Sequence, residues 1–124
     1  MSKSSSKSTV EAYHPEKSRI SDSALAEFIR APITGELSEV PGIGPATVKV
    51  LTEAGVETTF ALIGVFLTLK NADTETVEHM DQCYYWPLSL STVTGYRAGI
   101  CQAIAEKTNT MFPNIYDRDV YCQD

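Results

Sequence analysis

An all-α bundle of five to six helices is what this sequence predicts, and three observations carry the prediction. Apolar side chains recur at three- and four-residue spacing in one segment after another, the period of a helix with a buried face. Ser, Thr or Asp precedes those segments and Gly or Pro follows several of them, as helix starts and stops require. No segment alternates apolar with polar side chains in the manner of a half-buried strand, and no internal repeat is visible.

The chain divides into an arm over residues 1–20, a helical domain over 21–112 and a polar tail over 113–124. The arm, MSKSSSKSTVEAYHPEKSRI, lacks apolar periodicity and reads as a solvated, flexible extension. Its Lys3 and Lys7, set among serines, are of the chemistry that touches phosphate. Ser21 or Asp22 then caps a helix with Leu25, Phe28 and Ile29 on one side, which should stop before Pro32. Ile33-Thr34-Gly35 is a turn, and Glu36 to Val40 forms a short helix.

Next comes Pro41-Gly42-Ile43-Gly44-Pro45, on which the domain is organised. Gly42 and Gly44 supply an elbow closed to residues with a β-carbon, Ile43 plugs down between the flanking helices, and Pro45 suits the first turn of the next helix. In that helix Thr47, Val48, Leu51 and Ala54 share one face, while Ala46, Lys49, Val50 and Glu53 point elsewhere, and Gly55 stops it.

Thr58 or Thr59 opens a helix from Phe60 to Lys70 that leaves almost no polar face, so cover from a second subunit is expected. Asp73 or Thr74 caps a helix running to about Tyr85 with Val77, Met80 and Tyr84 at helical spacing, ended by Tyr84-Tyr85-Trp86 before Pro87. Ser91 or Thr92 caps a last long helix through Val93, Tyr96, Ile100, Ala103, Ile104 and Lys107, ending near Met111-Phe112-Pro113.

Charge and cysteine content narrow the function classes. The 124 residues carry 10 basic and 16 acidic side chains, a net charge of −6. Residues 1–20 hold four cations against two acids, a net +2, and the remainder six against fourteen, a net −8. So acidic a body repels a polyanion unless its cations share one face. Cys83, Cys101 and Cys122 are an odd number without a C-x-x-C pair, which suits reduced thiols inside the cell. No apolar run could span a bilayer and no signal peptide is recognisable, so the expectation is a soluble protein of nucleus or cytoplasm, cytoskeleton included, with no membrane contact.

The stretch G-I-G-P-x-T at Gly42 to Thr47, with Leu51 and Ala54-Gly55 downstream, resembles the helix-hairpin-helix motif. The segment Ile63-Gly64-Val65-Phe66-Leu67-Thr68-Leu69-Lys70 directly after it is similar to the signature helix of the barrier-to-autointegration factor family of small DNA-bridging chromatin proteins. The resemblance covers roughly residues 22–112 and implies a bundle of SAM/BAF-like type built around the helix-hairpin-helix. It further implies a homodimer in which each protomer holds a separate DNA duplex without reading sequence, and a groove that binds short helical domains of other proteins. Carried onto matching positions, the DNA contacts are Gly42, Ile43, Gly44 and Lys49, and the dimer contact involves Gly64, Val65 and Phe66. The chain departs from the pattern at Ala46 and Val50, where DNA-binding motifs of this kind commonly place lysines, so Lys49 alone survives, flanked by Glu39 and Glu53.

Each lost phosphate contact removes about one released counterion. Ala46, Val50 and the Thr47 methyl give that side an apolar character better suited to a protein partner. Two function classes follow. The first is a non-enzymatic architectural or adaptor protein using this scaffold for protein contacts, Ala46 and Val50 among them, within a chromatin or cytoskeletal assembly. The second is a sequence-independent double-stranded DNA-binding homodimer, with Lys3 and Lys7 assisting. No cofactor is expected. His79 and Cys83 have a chelating spacing but lack two further ligands, leaving a surface His and a packed Cys, and no nucleophile-base-orienter set can be assembled.

Overall fold

Ser21 accepts a hydrogen bond from the Ala24 amide at 3.1 Å and starts α1, Asp22–Arg30, as its sequence dictates. The computed structural model describes residues 13–86 and 97–121, and among them the chain forms four further α-helices and no strand. They are α2, Pro45–Glu53, α3, Thr59–Thr68, α4, Thr76–Tyr85, and α5, Arg97–Met111. Single 3-10 turns at Pro15–Lys17, Leu37–Glu39 and Arg118–Tyr121 complete the chain. The residues expected to start the last helix, Ser91, Thr92, Val93 and Tyr96, lie outside the described residues, as do Lys3, Lys7 and Cys122.

The last helix is the axis of the domain. α5 packs against α1, α3, α4 and the Pro15–Lys17 turn. Covered from so many directions, it buries polar as well as apolar side chains, Gln102, Lys107 and Thr108 alongside Cys101, Ala103 and Ile104. Thr108 returns its hydroxyl to the Ile104 carbonyl at 2.6 Å. The Lys107 ammonium donates to the carbonyls of Ile29, at 2.7 Å, and Ala31 at the C-terminus of α1, and lies 5.6 Å over the Phe28 ring. A buried cation is thereby placed at the negative end of a helix and on an aromatic face.

Several expectations need correction. The packed body includes residues ahead of 21: Tyr13 is buried, its amide donates to Asp81 Oδ1 at 3.1 Å, and its hydroxyl lies 2.9 Å from that of Tyr116. At Gly99 an added β-carbon would stand 3.1 Å from Ile20, so the missing side chain is what lets the N-terminal segment cross α5. The tail is likewise more than polar surface, because Ile115 and Tyr116 are buried and the Tyr116 and Asp117 amides donate to Asn109 and Thr76. Neither Asp73 nor Thr74 caps α4. Thr74 closes a turn with Asn71, and α4 starts after Glu75 without a side-chain cap.

α3 is apolar nearly all round as expected, and the chain itself covers one side of it: Leu62, Ile63 and Phe66 are buried while Phe60 is 59% exposed. Phe66, expected at a subunit contact, is 1% exposed within a single chain and stacks on His79 with ring centroids 4.1 Å apart. His79, expected on the surface, is wholly buried, and its Nε2–H donates to the Phe66 carbonyl at 2.7 Å. That bond fixes Nδ1 as the unprotonated nitrogen, and Nδ1 is buried with no hydrogen-bond partner. Burial, reinforced by Lys70 and opposed by the bond to Phe66, holds the imidazole below its ordinary pKa.

Two expected outcomes follow. Phe66→Ala should cost about 3–5 kcal/mol in denaturant unfolding while leaving the oligomeric state of the folded fraction unchanged, because it empties a core site. His79 is neutral in the native chain but protonates in the unfolded chain below about pH 6.5. Its contribution is therefore complete above that pH and declines as pH falls toward the lower native pKa. Unfolding midpoints compared across that range should show the decline in the wild type and a flatter profile in His79→Gln, which can still donate to Phe66.

Candidate docking surface at the glycine elbow

The elbow is built from the inside outward. Leu37 and Val40 of the first turn, Ile43 of the loop and Leu51 of α2 are all buried, so the Gly-Ile-Gly segment is pinned by its middle residue. Ile43 also donates its amide to the Val40 carbonyl at 3.1 Å. Gly42 has φ of 95°, the left-handed region in which a side chain is strained. Gly44, expected in a conformation closed to a β-carbon, instead has extended backbone as N-cap of α2 with room for a β-carbon and no capping side chain, and Pro45 follows in the first turn. The expected helix from Glu36 to Val40 is in fact one 3-10 turn, Leu37–Glu39.

Glu39 is the brace beneath this elbow. Its carboxylate accepts from the Thr34 amide and hydroxyl, both at 3.0 Å, and from the Gly35 amide at 3.0 Å. The hydroxyl of Thr59, the first residue of α3, lies 2.7 Å from the same carboxylate and 3.0 Å from the Glu36 carbonyl, sharing its one proton between them. Burial alone would raise the Glu39 pKa, but the bonds from Thr34, Thr59 and Gly35 outweigh it and hold the carboxyl below its ordinary value. The Glu39 carboxylate is thus committed to bracing the turn.

On α2 the faces sort nearly as expected. Leu51 is buried and Val48 packs against the core, while Pro45, Ala46, Lys49 and Glu53 are exposed and Val50 is half-buried. Ala54 differs, and Thr47 keeps the face that its spacing gave it, against the reading that its methyl serves the outer side. Ala54, placed by spacing on the core face, is exposed because the helix ends there and the backbone turns at Gly55. Thr47 lies on the inner side, where with Leu51 and Phe66 it lines a cavity of about 30 Å³. Its methyl therefore adds nothing to the outer face.

The exposed outer face is small and weakly charged: Ala46 and Val50 with Lys49 between them and Glu53 one turn on. From Leu37 to Thr58 the sequence holds one cation, Lys49, against Glu39, Glu53 and Glu57. Gly64 and Val65 are half-buried on α3, with open space around Gly64, whereas Phe66 belongs to the core. Among the described residues no three His, Cys, Asp or Glu side chains come together in a metal-holding group, and no helix is long and apolar enough to cross a membrane. The Glu39 brace and the Lys107 cap were not legible as such. The Thr34, Glu39 and Thr59 side chains are ordinary turn and cap residues in sequence, and only their meeting in space reveals the bracket.

Thr59→Val should lower stability by about 1–2 kcal/mol, since it removes the hydroxyl that donates to the Glu39 carboxylate from a fully buried position. Because the native pKa of Glu39 lies below its unfolded value, its contribution is complete above about pH 4.3 and is lost as pH falls through the native pKa. Acid titration of circular dichroism should show an unfolding midpoint that depends on Glu39, with Glu39→Gln less stable than wild type at neutral pH and the gap narrowing in acid. Compared with models of protein families, with curated proteins and with solved structures, the chain matches none of them.

Proposed function

We propose that this chain is a non-enzymatic adaptor whose helix-hairpin-helix-like elbow, arranged as in barrier-to-autointegration factor, docks a protein partner within a larger intracellular assembly. The observation that carries this reading is the outer face of α2. Exposed Ala46 and half-buried Val50 flank the single cation Lys49 where a phosphate-gripping version of the motif would present several. Non-specific grip on a duplex grows with the number of phosphates neutralised, and one lysine beside exposed Glu53 and Glu57 offers about one such contact. A small apolar step held rigid from beneath suits the side chains of another protein. Chromatin and cytoskeleton are the assemblies this scaffold fits best.

One specific observation favours a second reading, sequence-independent binding of double-stranded DNA. The N-terminus of α2 at Gly44 lacks a capping side chain, and a β-carbon built at Gly44 meets nothing within 4 Å, so the elbow's backbone is open to an approaching phosphate. A homodimer through α3 would use exposed Phe60 and half-buried Gly64 and Val65, not Phe66.

A mobility-shift titration with a short blunt duplex at about 50 mM salt separates the two readings. The expected result is no retardation of the duplex by the wild type. Retardation that Lys49→Glu abolishes would overturn the adaptor reading in favour of DNA. In parallel, a photo-crosslinker placed at position 46 or 50 should capture one defined protein in cell extract that the same group at Val77 on α4 does not.

A further inference from the structure

α4 and α5 pack together in the fold, and each brings one cysteine to their contact. Cys83 of α4 is half-buried and Cys101 of α5 is buried, and both are free thiols, close enough for one to perturb the other. They also line the same small cavity, whose other walls include Leu62, Phe66 and Ile104. Eighteen positions separate them in sequence, so their meeting is a product of the fold rather than of a local motif.

We propose that Cys83 and Cys101 are an oxidisable dithiol, which a peroxide converts into an intramolecular disulfide that staples α4 to α5. The unequal surroundings of the two sulfurs set the order of events. Burial, then the neighbouring Cys83 thiol, pushes the Cys101 thiol up, with Arg97 opposing, so Cys101 stays protonated and shielded. Cys83, with part of its surface open, meets the oxidant first. Its thiolate sulfur attacks one peroxide oxygen, the O–O bond breaks, and with one proton taken up the products are a sulfenic acid on Cys83 and one water. The Cys101 sulfur then attacks the Cys83 sulfur, the S–O bond breaks, and the Cys101 proton leaves with the hydroxide as a second water. Two thiols and one hydrogen peroxide thus give one disulfide and two waters. The cavity beside the pair gives both side chains room to rotate as the sulfurs close to about 2.05 Å.

The test uses the full chain carrying Cys122→Ser, so that only this pair can react, treated with hydrogen peroxide at neutral pH. Expected are loss of both free thiols, an intact mass lower by two hydrogens, a non-reducing peptide map that links the α4 and α5 peptides, and full reversal by dithiothreitol. In the same background Cys83→Ser should leave Cys101 as an unreacted thiol, and circular dichroism verifies that it is folded. Should that variant fail to fold, alkylation of Cys83 in the native protein with iodoacetamide serves in its place. Accumulation of sulfinic acid on Cys83 with the Cys101 thiol intact, or a disulfide-linked dimer, would overturn the proposal.

Discussion

Enclosure of α5 is the constraint on which the domain depends. A helix packed on three other helices and the N-terminal turn buries polar side chains along with apolar ones, so each buried polar group on it needs a local partner. Thr108 bonds within its own helix, Gln102 reaches Glu106 at 3.2 Å, and Lys107 caps α1. Burying an ammonium ion is costly, and two carbonyl oxygens at a helix C-terminus with an aromatic face alongside offset that cost while fixing where α1 ends relative to α5. At its other end Arg97 lies 4.2 Å over the ring of Tyr84, joining α5 to α4 by a comparable cation-aromatic contact.

That arrangement accounts for the rigidity of the elbow. α3 packs on α5, its first residue Thr59 is tied to Glu39 and to the Glu36 carbonyl, and the Thr59 amide donates to the Gly35 carbonyl at 3.1 Å. The turn before the elbow is therefore anchored to the core through a buried hydroxyl, while Ile43 anchors the elbow itself. What faces outward on α2 is then free of structural duty. Ala46, Lys49 and Glu53 are exposed, so their identities are open to a binding role.

Local signals gave most of the element boundaries. Ser21 and Thr58 cap the helices they were expected to cap, Gly42 and Gly55 take positive φ, and α5 ends at Met111 ahead of Pro113. These depend on backbone conformation within a few residues, which sequence encodes directly. The failures share a different cause. His79 between Glu78 and Met80 on an acidic helix reads as surface, yet it is buried because Phe66, thirteen positions earlier, offers a ring to stack on and a carbonyl to accept its proton. Phe66 was assigned to a partner subunit for the same reason in reverse, its intrachain neighbour being invisible in sequence. Of the candidate site, the elbow, the exposure of Ala46 and Lys49 and the inward placing of Thr47 are readable from spacing, whereas the commitment of Glu39 depends on a contact with α3.

The ends of the described chain meet. The Tyr13 ring stands edge-on to those of Tyr116 and Tyr121, at centroid separations of 6.3 and 5.4 Å, with His14 also against Tyr121. The first and last described residues are therefore neighbours, clasped by aromatic rings. Tension applied between Tyr13 and Tyr121 would act directly on that clasp.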